Sequence, residues 1–64
     1  MGKWHINAAR VNARMTQKEA ASAVGVSEST IIEWEKEKRF PGAVELAKLC
    51  DIYKCDISDI FIPR

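Results

Sequence analysis

Residues 16–35 read TQKEAASAVGVSESTIIEWE, and this stretch decides the fold. Thr16 is followed three residues later by Glu19, the pattern of a capping box at the start of a helix. Gly25 adopts positive φ without steric cost, so it predicts the end of that helix. Ser27 then predicts the N-cap of the next helix. The stretch is therefore expected to form two short helices joined by a tight turn.

Apolar residues at helical spacing predict further helices on both sides of this stretch. They are expected over about residues 6–13 and 43–53, and Asp56 is expected to cap a last turn or two. The buried positions predicted from the spacing are Ile6, Ala9 and Ala13 on helix one, Ile31 and Trp34 on helix three, and Ala43, Leu46, Ala47, Cys50 and Tyr53 on helix four. The sequence predicts an all-α, compact five-helix bundle.

The composition is that of one small globular domain. The chain has 64 residues, of which 47% are hydrophobic and 30% charged. A chain of this length buries only about 60% of its unfolded surface, so its stability is marginal. We expect a single domain over residues 1–64 with a core over about 6–62. The net charge is only +1, so any basic surface must come from local clustering.

Several classes of protein are disfavoured by what the sequence lacks. Cys50 and Cys55 are too few for a disulfide-stapled secreted fold, and their spacing fits neither a CxxC motif nor a zinc pair. His5 is the single histidine, which leaves no clustered metal ligands or catalytic group, so we expect no enzyme, cofactor or metal. No apolar run approaches the ~20 residues of a membrane span. We expect a cytoplasmic protein with reduced thiols and no evident small-molecule ligand.

A set of residues spread over most of the chain carries a family resemblance. They are Arg10, Thr16, Gln17, Glu19, Ala21, Gly25, Val26, Ser27, Ser29, Thr30, Ile31, Trp34, Glu35, Arg39, Pro41 and the closing run 56–61. This pattern resembles the helix-turn-helix domains of the phage Cro and CI repressor type, the XRE family. The resemblance implies a bacterial or phage-encoded, lambda-repressor-like domain with its helix-turn-helix at helices two and three. It also implies an ion pair between Arg10 and Glu35 that ties helix one to helix three.

The resemblance further implies which residues meet double-stranded DNA. Helix 27–36 would enter the major groove, where residues near a helix N-terminus reach base edges. The implied base-contacting residues are Glu28, Ser29, Thr30 and Glu33. Helix N-termini also bind phosphate through their free amides. The implied phosphate-contacting residues are Thr16, Gln17, Ser27, Lys36, Lys38 and Arg39.

The charge of the third helix complicates this interpretation. Three glutamates against Lys36 give residues 27–36 a net charge of −2. Glu35 is accounted for by Arg10, but Glu28 and Glu33 would face phosphates unless each accepts a hydrogen bond from cytosine N4. Glu28 is equally well explained as an acid that stabilises the first turn of its helix. For Glu33, deeper along the helix, cytosine readout is the favoured reading.

The chain departs from the family pattern at two turns, and also at Ala20, where the family usually has leucine. Glu37 and Lys54 stand where the family often has glycine, at helix ends that require left-handed backbone geometry. A residue other than glycine costs about 1 kcal/mol in that conformation. We expect slightly looser helix ends and an unchanged fold.

Three functions fit the sequence. The first is a sequence-specific transcriptional regulator, a repressor by resemblance, that binds a pseudo-palindromic operator as a dimer. The second is the antitoxin of a toxin–antitoxin pair, and the third is a relative of the fold that binds a protein and not DNA. A weak homodimer contact through Phe61 or Ile62 is expected. The acidic helix favours the third function, whereas the basic run Lys36, Lys38 and Arg39 favours the first two.

Overall fold

The structure is a computed structural model that describes residues 4–61. Within this range the chain forms four α-helices and a closing turn. They are α1 (Ile6–Asn12), α2 (Gln17–Val24), α3 (Glu28–Glu35), α4 (Ala43–Tyr53) and a terminal 3₁₀ turn (Ile57–Asp59). The all-α prediction is confirmed, but the count of five helices is not. The last element stops after one turn because the backbone of Ile60 is already extended, at φ −94° and ψ 130°.

The helix boundaries follow the local capping pattern. Thr16 Oγ1 accepts a hydrogen bond from the Glu19 amide at 3.0 Å, and Glu19 Oε1 accepts one from the Thr16 amide at 2.8 Å. Gly25 adopts φ 89° and donates its amide to the Ala21 carbonyl. Ser27 Oγ accepts the Thr30 amide at 3.2 Å. The predicted capping box, turn and N-cap are therefore confirmed.

The core lies where α2 packs against both α3 and α4. Its buried hydrophobic residues are Ile6, Ala9, Ala20, Ala21, Val24, Ile31, Trp34, Leu46, Leu49, Cys50, Tyr53 and Ile60. The predicted stripe of α4 is wrong at two positions, because Ala43 and Ala47 are exposed. Leu49 shifts the centre of the buried face, and Ala47 then lies about a quarter turn or more away from it.

Among residues 4–61, three residues other than glycine occupy left-handed backbone geometry. Glu37 has φ 62° and Lys54 has φ 59°, as the two departures from the family pattern predicted. Arg14 also has φ 61°, at the end of α1, which was not predicted. In residues other than glycine this conformation carries a steric cost, so each helix end stores strain.

The first and last described segments pair with each other. The Trp4 amide donates to the Asp59 carbonyl at 2.8 Å, and the Phe61 amide donates to the Trp4 carbonyl at 2.7 Å. These bonds form a parallel bridge between Trp4 and Ile60. Across residues 4–61, none of the helices has the length and hydropathy needed to cross a membrane. Ile62, one of the two predicted dimer residues, lies outside the described range.

Candidate nucleic-acid interface

Helix α3 is buried along one face and free along the other. Ile31 is fully buried and Trp34 is 5% exposed, which fixes the inward face. The opposite face carries Ser29, Glu33 and Lys36 at the i, i+4, i+7 spacing of a single stripe. Glu28, Thr30 and Ile32 flank this stripe. The stripe and its flanks include all four residues that the resemblance implies to contact bases: Glu28, Ser29, Thr30 and Glu33.

Both helices of the motif begin with a hydroxyl side chain that accepts a backbone hydrogen bond. Thr16 accepts from the Glu19 amide at the start of α2. Ser27 accepts from the Thr30 amide at the start of α3, and its oxygen lies 2.9 Å from Thr30 Oγ1. An oxygen that accepts in this way keeps its own proton to donate. Thr16 is therefore able to donate to a phosphate oxygen without giving up its cap.

An ion pair fixes the orientation of α3 relative to α1. Arg10 Nε donates to Glu35 Oε2 at 2.6 Å, and Arg10 Nη2 donates to Glu35 Oε1 at 3.2 Å. The two side chains are only 15% and 7% exposed. The hydrogen bonds to Glu35 raise the pKa of Arg10 above its usual value, although burial acts in the opposite sense. Arg10 Nη1 also donates to the Met15 carbonyl at 2.8 Å, which holds the loop that enters α2.

Gln17 joins this network from the start of α2. Its Nε2 donates to Glu35 Oε1 at 3.0 Å, so Glu35 accepts hydrogen bonds from both α1 and α2. A side-chain amide has two N–H donors, and this contact uses one of them. Gln17, implied to contact phosphate, is thus also a structural link between the two helices of the motif. The structure reveals this second role, which the sequence did not indicate.

The charge of α3 is largely compensated within the protein. Glu33 Oε1 accepts a hydrogen bond from Arg39 Nη1 at 3.2 Å, with the two side chains 43% and 69% exposed. Glu35 is paired with Arg10. Among residues 4–61, Glu28 is left as the acid of α3 without an ion-pair partner. The helix is therefore far less acidic toward a ligand than its composition indicates.

The basic run lies directly after α3. Lys36, Lys38 and Arg39 are all exposed, and the Lys38 amide donates to the Glu33 carbonyl at 3.1 Å. Glu37, between the lysines, contacts the other end of the domain, because its Oε2 lies 3.0 Å from His5 Nδ1. Arg39 is paired with Glu33, so Lys36 and Lys38 are the cations of this run without an ion-pair partner among residues 4–61.

The structure brings the implied residues into two groups. Thr16, Gln17 and Ser27 lie at the starts of α2 and α3. The remaining implied residues lie on the exposed side of α3 and just after its end: Glu28, Ser29, Thr30, Glu33, Lys36, Lys38 and Arg39. Ile32, which the resemblance implies to be adjacent to the base-contacting positions, is half-buried beside the outward stripe. An apolar side chain at such a position is able to contact the methyl group of thymine.

The described residues offer no obvious centre for other chemistry. Within residues 4–61, no three His, Cys, Asp or Glu side chains are arranged to hold a metal ion. Burial raises the pKa of Tyr53 to about 12, and the carboxylate of Glu35 adds to this effect. A phenol with so high a pKa stays protonated at neutral pH. Its position in the core identifies it as a packing residue.

The comparisons with known proteins agree with this geometry. The family model described as helix-turn-helix matches residues 6–60, which include all four α-helices and the terminal turn. No curated protein matches the chain. The chain belongs to the helix-turn-helix family of the Cro/C1 type, the XRE family of DNA-binding transcription regulators.

Proposed function

We propose that this protein is a sequence-specific repressor that places α3 in the major groove of an operator. The outward stripe of Ser29, Glu33 and Lys36 carries this proposal, because the Arg10–Glu35–Gln17 network holds it rigidly. An α-helix fits the major groove of B-DNA and reads bases through such a stripe. A fixed orientation lowers the entropic cost of binding, since little has to be ordered on contact.

The two ends of the motif contact the phosphate backbone in this proposal. Thr16 and Ser27 donate through their hydroxyl groups, and the first turns of α2 and α3 add backbone amides. Lys36 and Lys38 contact phosphates beyond the other end of α3. Each neutralised phosphate makes binding more sensitive to salt, with a slope of about −0.9 in log K against log salt concentration.

The two acidic residues on the free face have different roles. Glu33 accepts a hydrogen bond from cytosine N4, and Arg39, its partner in the free protein, then moves to a phosphate. The ion pair is exposed, and exposed pairs are worth only about 0–1 kcal/mol, so this exchange costs little. Glu28 stabilises the N-terminus of α3, where acid is favoured, and contacts the edge of the site.

The operator is expected to be a pseudo-palindrome bound by a dimer. A single eight-residue helix reads few base pairs, and two half-sites about one helical turn, ~34 Å, apart supply the remaining specificity. Phe61 is 40% exposed, and with Ile62 it forms the proposed weak homodimer contact. The dimer contact is weak in this proposal, so DNA contributes to assembly.

Binding to a protein, as in an antitoxin, is the second candidate. Val44 is 66% exposed and Ile57 is 46% exposed, and both lie away from α3, on α4 and on the terminal turn. Exposed apolar side chains on a small domain are candidates for partner contact. Such a surface is compatible with DNA binding, so the two roles are separated by experiment.

Selection from random duplexes at 0.1 M KCl tests the proposed function. We expect one enriched palindrome, with cytosine at positions that depend on Glu33. Glu33→Gln should change the preferred base from cytosine to adenine there, because glutamine pairs with adenine, at about 1–3 kcal/mol of discrimination. Glu28→Gln is the matched control, since it removes the same charge from the same helix and should leave that position unchanged.

A second variant separates base reading from backbone contact. Lys38→Gln should weaken binding to every sequence alike and reduce the salt slope by about 0.9. If no sequence is enriched and binding stays weak even at low salt, the DNA-binding proposal is wrong. That outcome would move the protein-binding role to first place.

A further inference from the structure

The C-terminal end of α4 brings two cysteines side by side. The Cys55 amide donates to the Cys50 carbonyl at 3.0 Å, and the Lys54 amide donates to the Asp51 carbonyl at 3.4 Å. Lys54, between them, has the left-handed φ of 59°. These three features together form a Schellman motif, in which the side chains of the first and last residues meet. Here those two side chains are the thiols of Cys50 and Cys55.

The two thiols influence each other's ionisation. Burial raises the pKa of Cys50 to about 11, and the neighbouring Cys55 thiol contributes to the increase through charge and a hydrogen bond. The same hydrogen bond lowers the pKa of Cys55, although burial raises that pKa overall. The Cys50 thiol is therefore the donor toward the Cys55 sulfur.

The two cysteines also differ in access. Cys50 is 6% exposed, whereas Cys55 is half-buried. Both line a surface groove at the junction of α4 and the terminal turn, together with Asp56, Ile57 and Asp59. A small reagent that enters this groove therefore has better access to Cys55 than to Cys50.

We propose that Cys50 and Cys55 form a reversible redox site, in which a low-molecular-weight disulfide such as oxidised glutathione converts them to an intramolecular disulfide. Both are free thiols in the structure, so the disulfide is the oxidised state of the same fold. The site is independent of the proposed DNA contacts, because neither cysteine lies on α2 or α3. Its consequence is a change in the stability of the domain.

The reaction proceeds in two exchanges. Cys55 gives its proton to water, and its thiolate attacks one sulfur of oxidised glutathione. A mixed disulfide forms, and one glutathione leaves as a thiolate that takes up a proton. Cys50 then loses its proton and attacks the Cys55 sulfur, so that the second glutathione leaves in the same way. Two protein thiols are oxidised, and one glutathione disulfide is reduced to two thiols.

Oxidation should stabilise the folded domain. The disulfide closes a ring of six residues, 50–55, which restricts the unfolded chain more than the folded one, where the two residues already meet. The loop-closure entropy of a ring of this size corresponds to an increase in Tm of about 10 °C for so small a domain. By linkage, the disulfide should resist reduced glutathione about 40-fold better in the folded chain than in the unfolded one.

The test uses the full chain, reduced and then incubated with oxidised glutathione at several ratios to reduced glutathione. Intact mass and alkylation with iodoacetamide count the free thiols. We expect loss of both free thiols and of two hydrogen masses, an unchanged far-ultraviolet circular dichroism spectrum and a higher Tm. Cys50→Ser should stop at a mixed disulfide on Cys55. Cys55→Ser should leave buried Cys50 unreacted.

The equilibrium between the two thiols and the disulfide is also measured on the wild-type chain in concentrated urea, where the chain is unfolded. This measurement needs no variant, so the proposal stays refutable if a serine variant does not fold. A ratio of about 40 between the folded and unfolded equilibrium constants for disulfide formation supports the proposal. A ratio of one or less refutes it. Accumulation of the mixed disulfide on the wild-type chain, or formation of the disulfide only with loss of cooperative unfolding, also refutes it.

Discussion

The ion pair between Arg10 and Glu35 gives the sharpest prediction about stability. Arg10→Met removes the guanidinium and keeps a side chain of similar length and shape. The carboxylate of Glu35, 7% exposed, is then left with the Gln17 amide as its one remaining side-chain hydrogen-bond donor within residues 4–61. The Met15 carbonyl loses its contact with Arg10 Nη1 as well. The substitution therefore leaves a buried charge with little compensation.

The size of the effect follows from this burial. Removal of one partner of a buried pair costs about 3–5 kcal/mol. At 0.05–0.15 kcal/mol per residue, a chain of this length has a total stability of about 3–10 kcal/mol. Arg10→Met should therefore remove about half of the free energy of unfolding. The corresponding decrease in Tm is about 20–35 °C.

Urea unfolding followed by the fluorescence of buried Trp34 measures this cost. Arg39→Met is the matched control, because it makes the same substitution in an exposed pair and should cost less than about 1 kcal/mol. The double variant Arg10→Met with Glu35→Leu should recover most of the loss, since apolar side chains replace both charges. If Arg10→Met costs no more than the control, the two side chains are not effectively buried and the reasoning is wrong. A double variant as unstable as the sum of the single changes would refute the coupling.

Two further predictions concern the helix ends and the core. Lys54→Gly should raise the free energy of unfolding by about 1 kcal/mol, because φ 59° favours glycine. Gly25→Ala should lower it by a similar amount, because φ 89° strains alanine even though open space surrounds the added Cβ. A change of the opposite sign for either variant in urea unfolding contradicts the backbone argument. Stability should be complete below about pH 9 and decline as pH rises toward 12, because the folded state holds the protons of Cys50 (pKa about 11) and Tyr53 (pKa about 12) more tightly than the unfolded state does. Tyr53→Phe should remove the part of this decline above about pH 10. Urea unfolding at a series of pH values measures the free energy of unfolding of both proteins. If it falls with pH in parallel for the wild type and the variant, the prediction is contradicted.

The features that the sequence predicted correctly are local or belong to the family pattern. The capping box at Thr16, the left-handed Gly25 and the N-cap at Ser27 each depend on residues three or fewer positions apart. Side chains that bond to nearby backbone groups leave a direct mark in sequence. The left-handed geometry of Lys54 was also predictable, because a family position that often carries glycine identifies the conformation whichever residue occupies it.

The features that the sequence missed depend on tertiary contacts. Ala43 and Ala47 fit a helical stripe, but Leu49 decides which face of α4 is buried, and small residues give little preference. The bridge between Trp4 and Ile60 joins segments far apart in sequence, with no strand-like alternation to announce it. The contact of Arg39 with Glu33 depends on the rotamers of two long side chains, which spacing does not specify.

The bridge between the two ends of the described chain has a mechanical consequence. The segments that contain Trp4 and Ile60 pair in the same direction. A force that pulls the two ends of the described chain apart therefore acts on the N-terminal side of the Trp4 segment and on the C-terminal side of the Ile60 segment. Their two hydrogen bonds, at 2.8 and 2.7 Å, are then loaded in shear and resist together. A peeling geometry would break them one after the other. Tension applied to the two ends should therefore load the bridge between Trp4 and Ile60 before it loads α1 or the helices that face DNA.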